Sequence, residues 1–102
     1  MGRAGQFKNV SVPIPQGGLI LGREGGGNGH LTFAADSDLS RKHCSISFDE
    51  PARRFRVTDL GSSNGTFTVP DGTRLAANQS LMCKPGQTIR LGRDNVFELT
   101  LG

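Results

Sequence analysis

The feature that most constrains the fold of this chain is a two-residue alternation of apolar and polar side chains in short runs. In residues 44–48, Cys44, Ile46 and Phe48 alternate with serines, and the same period recurs in later runs. Successive side chains of a β-strand point to opposite faces, so each run would bury one face and expose the other. No window longer than one or two turns keeps a helical period. The pattern therefore predicts an all-β chain.

Clusters of Gly, Pro, Asn, Asp and Ser separate these runs at the spacing expected of short strands. The predicted strands lie near residues 6–10, 19–21, 30–33, 44–48, 54–57, 66–69, 80–83, 88–91 and 97–101. Nine to eleven short strands in about 100 residues favour a β-sandwich of two antiparallel sheets. The chain shows no internal repeat and no interdomain linker. We therefore expect residues 1–102 to form one domain.

Length and composition narrow the class of protein. A chain of 102 residues is too short for a two-domain enzyme with an interdomain cleft. No apolar stretch approaches the length that spans a bilayer, and the N-terminal residues lack the apolar segment of a secretory signal. We expect a soluble, cytoplasmic, monomeric protein without a membrane partner. In that compartment Cys44 and Cys83 are expected to be reduced, partly buried thiols.

The charge balance favours an anionic partner without identifying it. Twelve Lys and Arg against nine Asp and Glu give a net charge of +3. A nucleic-acid binder would more often show a dense basic stripe and exposed aromatic stacking platforms, and this chain has neither Trp nor Tyr. We expect no nucleic-acid partner, and a nucleic-acid-binding β domain remains the less favoured alternative.

Ser40-Arg41-Lys42-His43 brings a hydroxyl, two cations and an imidazole together before a predicted strand. Catalysis by Ser40 with His43 as base would need a group that orients the base and an oxyanion site, and no nucleophile-elbow pattern surrounds Ser40. His43 and Cys44 are neighbours on a strand and point to opposite faces, which disfavours a shared metal ion. We expect no enzymatic activity, no metal and no cofactor.

The same residues are better suited to binding an anion if loops from several strands meet at one end of the sandwich. Arg23 would supply a rigid fork of donors, Ser40 a hydroxyl, and the Ser63-Asn64 turn its backbone amides. The alternative for Asn64-Gly65 is a plain hairpin turn, because Asn-Gly between strand-like runs is a strong hairpin signal.

Four motifs in this order resemble the forkhead-associated (FHA) domain. They are LGR at 21–23, LSRKHCSI at 39–46, VTDLGSSNGTF at 57–67 and KPGQTIRLG at 84–92, the last with Gln where the family often has Asp. The resemblance covers residues 19–101. It implies a β-sandwich that binds phosphothreonine peptides through loops at one end.

The resemblance also implies roles for individual residues. Arg23 would contact the phosphate or the neighbouring peptide backbone, and Ser40 would hydrogen-bond a phosphate oxygen. Arg41 would add charge and backbone contacts. Ser63 would lie near the phosphate, and Asn64 would hold the peptide main chain.

Three further positions match residues whose work in the family is architectural. Gly22 and Gly65 would permit tight backbone, and His43 would brace the loops. The implied function is a phosphothreonine-dependent adaptor in signalling or scaffold assembly. The first alternative is an FHA-like domain that binds a protein partner independently of phosphate.

Overall fold

The computed structural model describes residues 1–5, 7–24, 29–33, 39–69 and 71–100, and these residues form nine β-strands. The strands are β1 (Gly2–Ala4), β2 (Leu19–Gly22), β3 (His30–Thr32), β4 (Cys44–Asp49), β5 (Arg54–Asp59), β6 (Thr66–Val69), β7 (Ser80–Cys83), β8 (Thr88–Leu91) and β9 (Asn95–Glu98). Among the described residues there is no helix long and apolar enough to cross a membrane.

The strands form two sheets that pack as a sandwich, which confirms the predicted all-β fold. One sheet has the order β1-β9-β8-β6 and the other β3-β2-β4-β5-β7. Every pair is antiparallel except β2 with β3, where Ile20 lies opposite His30 in a parallel register.

The predicted strands match the observed strands to different degrees. β6, β7 and β8 have the predicted bounds, whereas β9 begins two residues before residue 97 and ends at Glu98. Residues 25–28, and Leu101 at the end of the predicted strand at 97–101, lie outside the described residues.

The predicted strand at residues 6–10 is wrong over its described part, residues 7–10, because the first strand is Gly2–Ala4 and the chain then folds back on it. The amide of Asn9 donates to the Gly2 carbonyl at 2.9 Å, and the Gly2 amide donates to Val10 at 2.9 Å. Asn9 has a φ of 66°, a left-handed conformation that ends the extended path.

Both sheets contribute to one buried apolar cluster between them. Its members are Leu19, Leu21, Phe33, Leu39, Cys44, Ile46, Phe55, Val57, Leu75, Cys83, Ile89, Leu91, Phe97 and Leu99. The rings of Phe33 and Phe97 meet edge to face with centroids 6.0 Å apart. Such contacts fix the two sheets against each other.

The sheet register places the ends of three strands at one edge of the sandwich. Leu21 of β2 lies opposite Cys44 of β4, which in turn lies opposite Asp59 of β5. The chain leaving β5 does not form a hairpin, because β6 belongs to the other sheet. The alternative interpretation of Asn64-Gly65 as a plain hairpin turn is therefore wrong: this segment connects the two sheets.

Cys44 and Cys83 are free thiols, and each is 0% exposed, so both are more deeply buried than expected. Burial and the neighbouring Asp59 carboxylate raise the pKa of Cys44 far above its usual range. Burial also raises the pKa of Cys83. Since the thiolate is the reactive species, the folded protein should protect both sulfurs.

Thiol labelling at about pH 8 tests this burial. We expect a disulfide-exchange reagent to react with both cysteines in denaturant but with the folded protein only as fast as it unfolds. The single variants Cys44→Ser and Cys83→Ser assign each reaction. Rapid labelling of the folded chain by either sulfur would contradict the placement of that residue.

Candidate functional site

Three loops meet at one end of the sandwich, and Ser40 lies where they join. The backbone carbonyl of Ser40 accepts the amide of Arg23 at 2.9 Å. The Ser40 hydroxyl oxygen accepts the amide of Ser63 at 3.0 Å. A hydroxyl that accepts one hydrogen bond keeps its own proton available for donation. The structure thus brings together the loops that carry the predicted binding residues.

His43 lies beneath this junction and is 0% exposed. Its Nδ1 accepts the amide of Ser40 at 3.2 Å, and its Nε2 lies 2.7 Å from the carbonyl of Gly65. A carbonyl oxygen can only accept, so Nε2 donates to it, while Nδ1 accepts the Ser40 amide. His43 also receives the amide of Leu60 on its own carbonyl at 3.0 Å. One side chain therefore connects the Ser40 loop to the loop that follows β5.

The contacts of His43 also bear on the serine-nucleophile alternative. The imidazole reaches the backbone amide of Ser40, and both ring nitrogens have backbone partners. A general base must reach the proton that it removes. In this geometry His43 positions Ser40 rather than activating its hydroxyl. Among the described residues no group of three or more His, Cys, Asp or Glu side chains is arranged to hold a metal.

A buried carboxylate orders the loop between β5 and β6. Asp59, 2% exposed, accepts the amides of Gly61 and Ser62 at 3.0 Å each. It also accepts the hydroxyl of Thr66 at 2.8 Å and that of Ser62 at 2.5 Å. Burial acts to raise the pKa of Asp59, but these hydrogen bonds outweigh it and lower the pKa below its usual value.

Sequence reasoning missed Asp59 and Arg74. Asp59 continues the buried face of β5 after Phe55 and Val57, so an acidic residue at that period was a usable signal. Arg74 donates from Nη2 to the carbonyl of Ser63 at 3.1 Å. No sequence pattern predicts that contact, because it depends on how the chain returns alongside β6.

Two glycines allow the close approaches on which the loops depend. A Cβ on Gly22 would lie 2.1 Å from the carbonyl oxygen of Arg41. Gly65 has a φ of +89°, and a Cβ there would lie 2.8 Å from both the Phe67 ring and Nε of Arg74. A side chain at Gly22 would require the backbone to move, and one at Gly65 would require the Phe67 and Arg74 side chains to move and would strain the backbone at its positive φ.

The remaining predicted residues lie on the exposed surface of this end. Arg23 is exposed, and its guanidinium forms no ion pair with a carboxylate in the described part of the chain. Arg41 pairs with Glu24 at 3.1 Å, and because both side chains are mostly exposed the pair contributes little to stability. Ser63 and Asn64 are exposed on the connecting loop. The arrangement presents guanidinium and hydroxyl donors to solvent, a set suited to an oxyanion.

Comparison with known proteins identifies the family. The model of the FHA domain matches residues 19–92. The chain belongs to the FHA family. No curated protein sequence matches it.

Several solved FHA domains share the fold. The FHA domain of an Arabidopsis thaliana hypothetical protein is 26% identical, with a TM-score of 0.77 over 100% of this chain and 84% of that one. The N-terminal FHA domain of S. cerevisiae Rad53p, solved with a phosphothreonine peptide, is 23% identical, with a TM-score of 0.65 over 83% and 68%. The MEK1 FHA domain, solved with a HOP1 phosphothreonine peptide, is 24% identical, with a TM-score of 0.67 over 92% of each chain.

Replacing Asp59 by Asn tests the role of the buried carboxylate in this FHA domain. Because folding lowers the pKa of Asp59, its contribution is present above the unfolded value near 4 and is lost as pH falls further. We expect Asp59→Asn to lower the unfolding free energy at neutral pH by about 1–3 kcal/mol and to flatten its fall in acid. Urea titrations between about pH 5 and pH 2 measure both. The exposed Asp94→Asn is the control, and an equal effect of the two variants would contradict the assignment.

Gly22→Ala tests the close approach beneath the Arg23 loop. The added methyl group meets the Arg41 carbonyl, so we expect a loss of about 1–3 kcal/mol in unfolding free energy. Gly17→Ala is the matched control, since a Cβ there meets nothing within 4 Å. The result that would count against this packing is an equal, small change in both variants in urea denaturation.

Proposed function

We propose that this FHA domain binds phosphothreonine-containing segments of partner proteins and acts as a non-enzymatic adaptor in signalling or scaffold assembly. The observation that carries the proposal is the junction at Ser40. Its carbonyl and hydroxyl oxygens hold the Arg23 and Ser63 loops together. Its hydroxyl proton and the Arg23 guanidinium are then available to a ligand at the same end of the sandwich.

The chemistry of phosphate fits this arrangement. A phosphate group carries about −1.5 to −2 charge near pH 7 and offers three acceptor oxygens. Hydrogen bonds to charged groups contribute roughly 1.5–3 kcal/mol each. Two such bonds, from Arg23 and Ser40, would separate a phosphorylated peptide from its unmodified form by orders of magnitude. The FHA domains of Rad53p and MEK1 were solved with phosphothreonine peptides, which supports the same ligand class here.

The residues around Ser40 would divide the remaining work. Arg41 would add positive charge at the edge of the site, although its ion pair with Glu24 neutralises part of that charge. Ser63 and Asn64 would contact the peptide, with the loop beneath them fixed by Asp59 and His43. A site that is ordered before the ligand arrives loses less entropy on binding.

Peptide titration tests the proposal. An oriented phosphothreonine library first gives one binding sequence, which is then made with phosphothreonine, phosphoserine and unmodified threonine and titrated by fluorescence anisotropy. We expect Arg23→Ala and Ser40→Ala each to weaken the phosphothreonine peptide by about 10- to 100-fold. The control is Arg56→Ala, because Arg56 lies on the exposed face of β5. It should change the affinity by less than about twofold.

Two further readouts sharpen the result. One buried methyl group contributes about 0.8 kcal/mol, so the phosphothreonine peptide should bind about fourfold more tightly than the phosphoserine peptide from burial alone. Affinity should weaken below about pH 6, where the phosphate loses its second charge.

Equal binding of phosphorylated and unmodified peptides would overturn the proposal in favour of phosphate-independent partner binding. Steep salt dependence with arbitrary DNA or RNA would favour nucleic-acid binding instead.

A further inference from the structure

The outer face of the four-stranded sheet carries a row of two arginines around one phenylalanine. Phe67 of β6 lies opposite Arg90 of β8 and also opposite Arg74, which returns along the free edge of β6. The Arg90 guanidinium lies 4.4 Å from the centre of the Phe67 ring, and that of Arg74 lies 5.9 Å from it. We refer to these three residues as the outer basic row.

The two arginines of the outer basic row lack acidic partners in the described part of the chain. The ion pairs found there join Arg3 to Glu98, Arg41 to Glu24 and Arg53 to Glu50. Glu98 shares the outer face of the sheet but is already bound by Arg3. Two adjacent guanidiniums without a carboxylate favour an anion from another molecule.

Arg90 has hydrogen-bonding capacity that its neighbours do not satisfy. It is half-buried, and its Nε is a buried donor without a hydrogen-bond partner. Buried polar atoms in folded proteins are nearly always paired, so an unpaired one requires an explanation. The Phe67 ring holds the guanidinium in place, which reduces the entropy lost when it binds an oxyanion.

The outer basic row is continuous with the candidate site. Arg74 donates to the Ser63 carbonyl, and Ser63 donates to the Ser40 hydroxyl. Phe67 follows Ser63 by four positions, so the Cα atoms of the two residues are at most about 13 Å apart. An extended peptide covers that distance in about four residues.

We propose that the outer basic row binds an acidic segment of the same partner chain whose phosphothreonine occupies the Ser40 site. The acidic side chains would lie about four to seven residues from the phosphothreonine. This inference rests on the proposed function. The domain would then recognise two separate features of its partner: the phosphate would bind at the loops, and the acidic segment of the partner would bind on the sheet face.

The experiment compares two phosphothreonine peptides of the selected sequence. One carries four Asp or Glu residues at positions four to seven from the phosphothreonine, the other carries Asn and Gln there, and each is made in an N-terminal and a C-terminal version. In one of the two versions, we expect the acidic peptide to bind the wild-type domain about three- to tenfold more tightly than the neutral peptide. Anisotropy titrations at fixed salt provide the measurement.

Variants assign the effect to the outer basic row. Arg90→Gln should reduce the acidic preference below about twofold and leave the neutral peptide's affinity within about twofold of wild type. Arg56→Gln removes the same charge from the other sheet's outer face and should keep the preference. If Arg90→Gln does not fold, Arg90→Lys keeps the charge without the fork and should lose most of the preference.

The outcomes separate the two proposals. Equal affinity of acidic and neutral peptides in all versions would overturn the inference while phosphate-dependent binding stands. An equal loss in Arg56→Gln would show only long-range attraction and would also overturn it, as would single-stranded DNA binding that depends on Arg90. Failure of wild type to distinguish phosphorylated from unmodified peptide would overturn the proposed function itself.

Discussion

The buried Asp59 carboxylate organises the end of the sandwich on which the site depends. The chain must pass from β5 in one sheet to β6 in the other, and a connection of this kind has backbone groups that no strand can pair. Asp59 accepts two of those amides and two hydroxyls, and the Ser62 hydroxyl in turn accepts the Gly65 amide. One charged side chain thereby replaces the ladder that the loop lacks, and its charge is retained because four donors surround it.

The Asp59 loop would remain separate from the other loops without the contacts of His43 and Ser40. His43 connects the Gly65 carbonyl to the amide of Ser40, and the Ser40 hydroxyl connects back to Ser63. The Ser40 carbonyl extends the connection to Arg23. Each link uses a backbone group on at least one side, so the loops are fixed by the chain path itself. Exposed side chains such as Arg23 can then vary in rotamer while their backbone stays in place.

The sequence predicted those elements whose bounds are determined by neighbouring residues. The bounds of β6, β7 and β8 follow from alternation and turn residues, and the LGR and LSRKHCSI motifs located the loops. β1 was missed because Gly2 and Ala4 carry no side-chain alternation, and their strand exists only through pairing with β9. The hairpin interpretation of Asn64-Gly65 failed for a related reason: the sequence specifies a turn but not which sheet receives the next strand. Contacts such as that of Arg74 with Ser63 depend on tertiary packing alone.

The distribution of charge matters more for this domain than its total. A net charge of +3 is too small to attract an anion over a long distance, since the Debye length is about 8 Å at physiological ionic strength. Three of the arginines are paired with glutamates, whereas the guanidiniums of Arg23, Arg74 and Arg90, like those of Arg54 and Arg56, have no carboxylate partner among the described residues. Arg23 and Arg74 are attached through hydrogen bonds to the same Ser40–Ser63 junction. Because screening shortens the range of attraction, an anion gains binding free energy only where it reaches these donors directly. The spacing of the donors, which the fold fixes, then determines which anions fit.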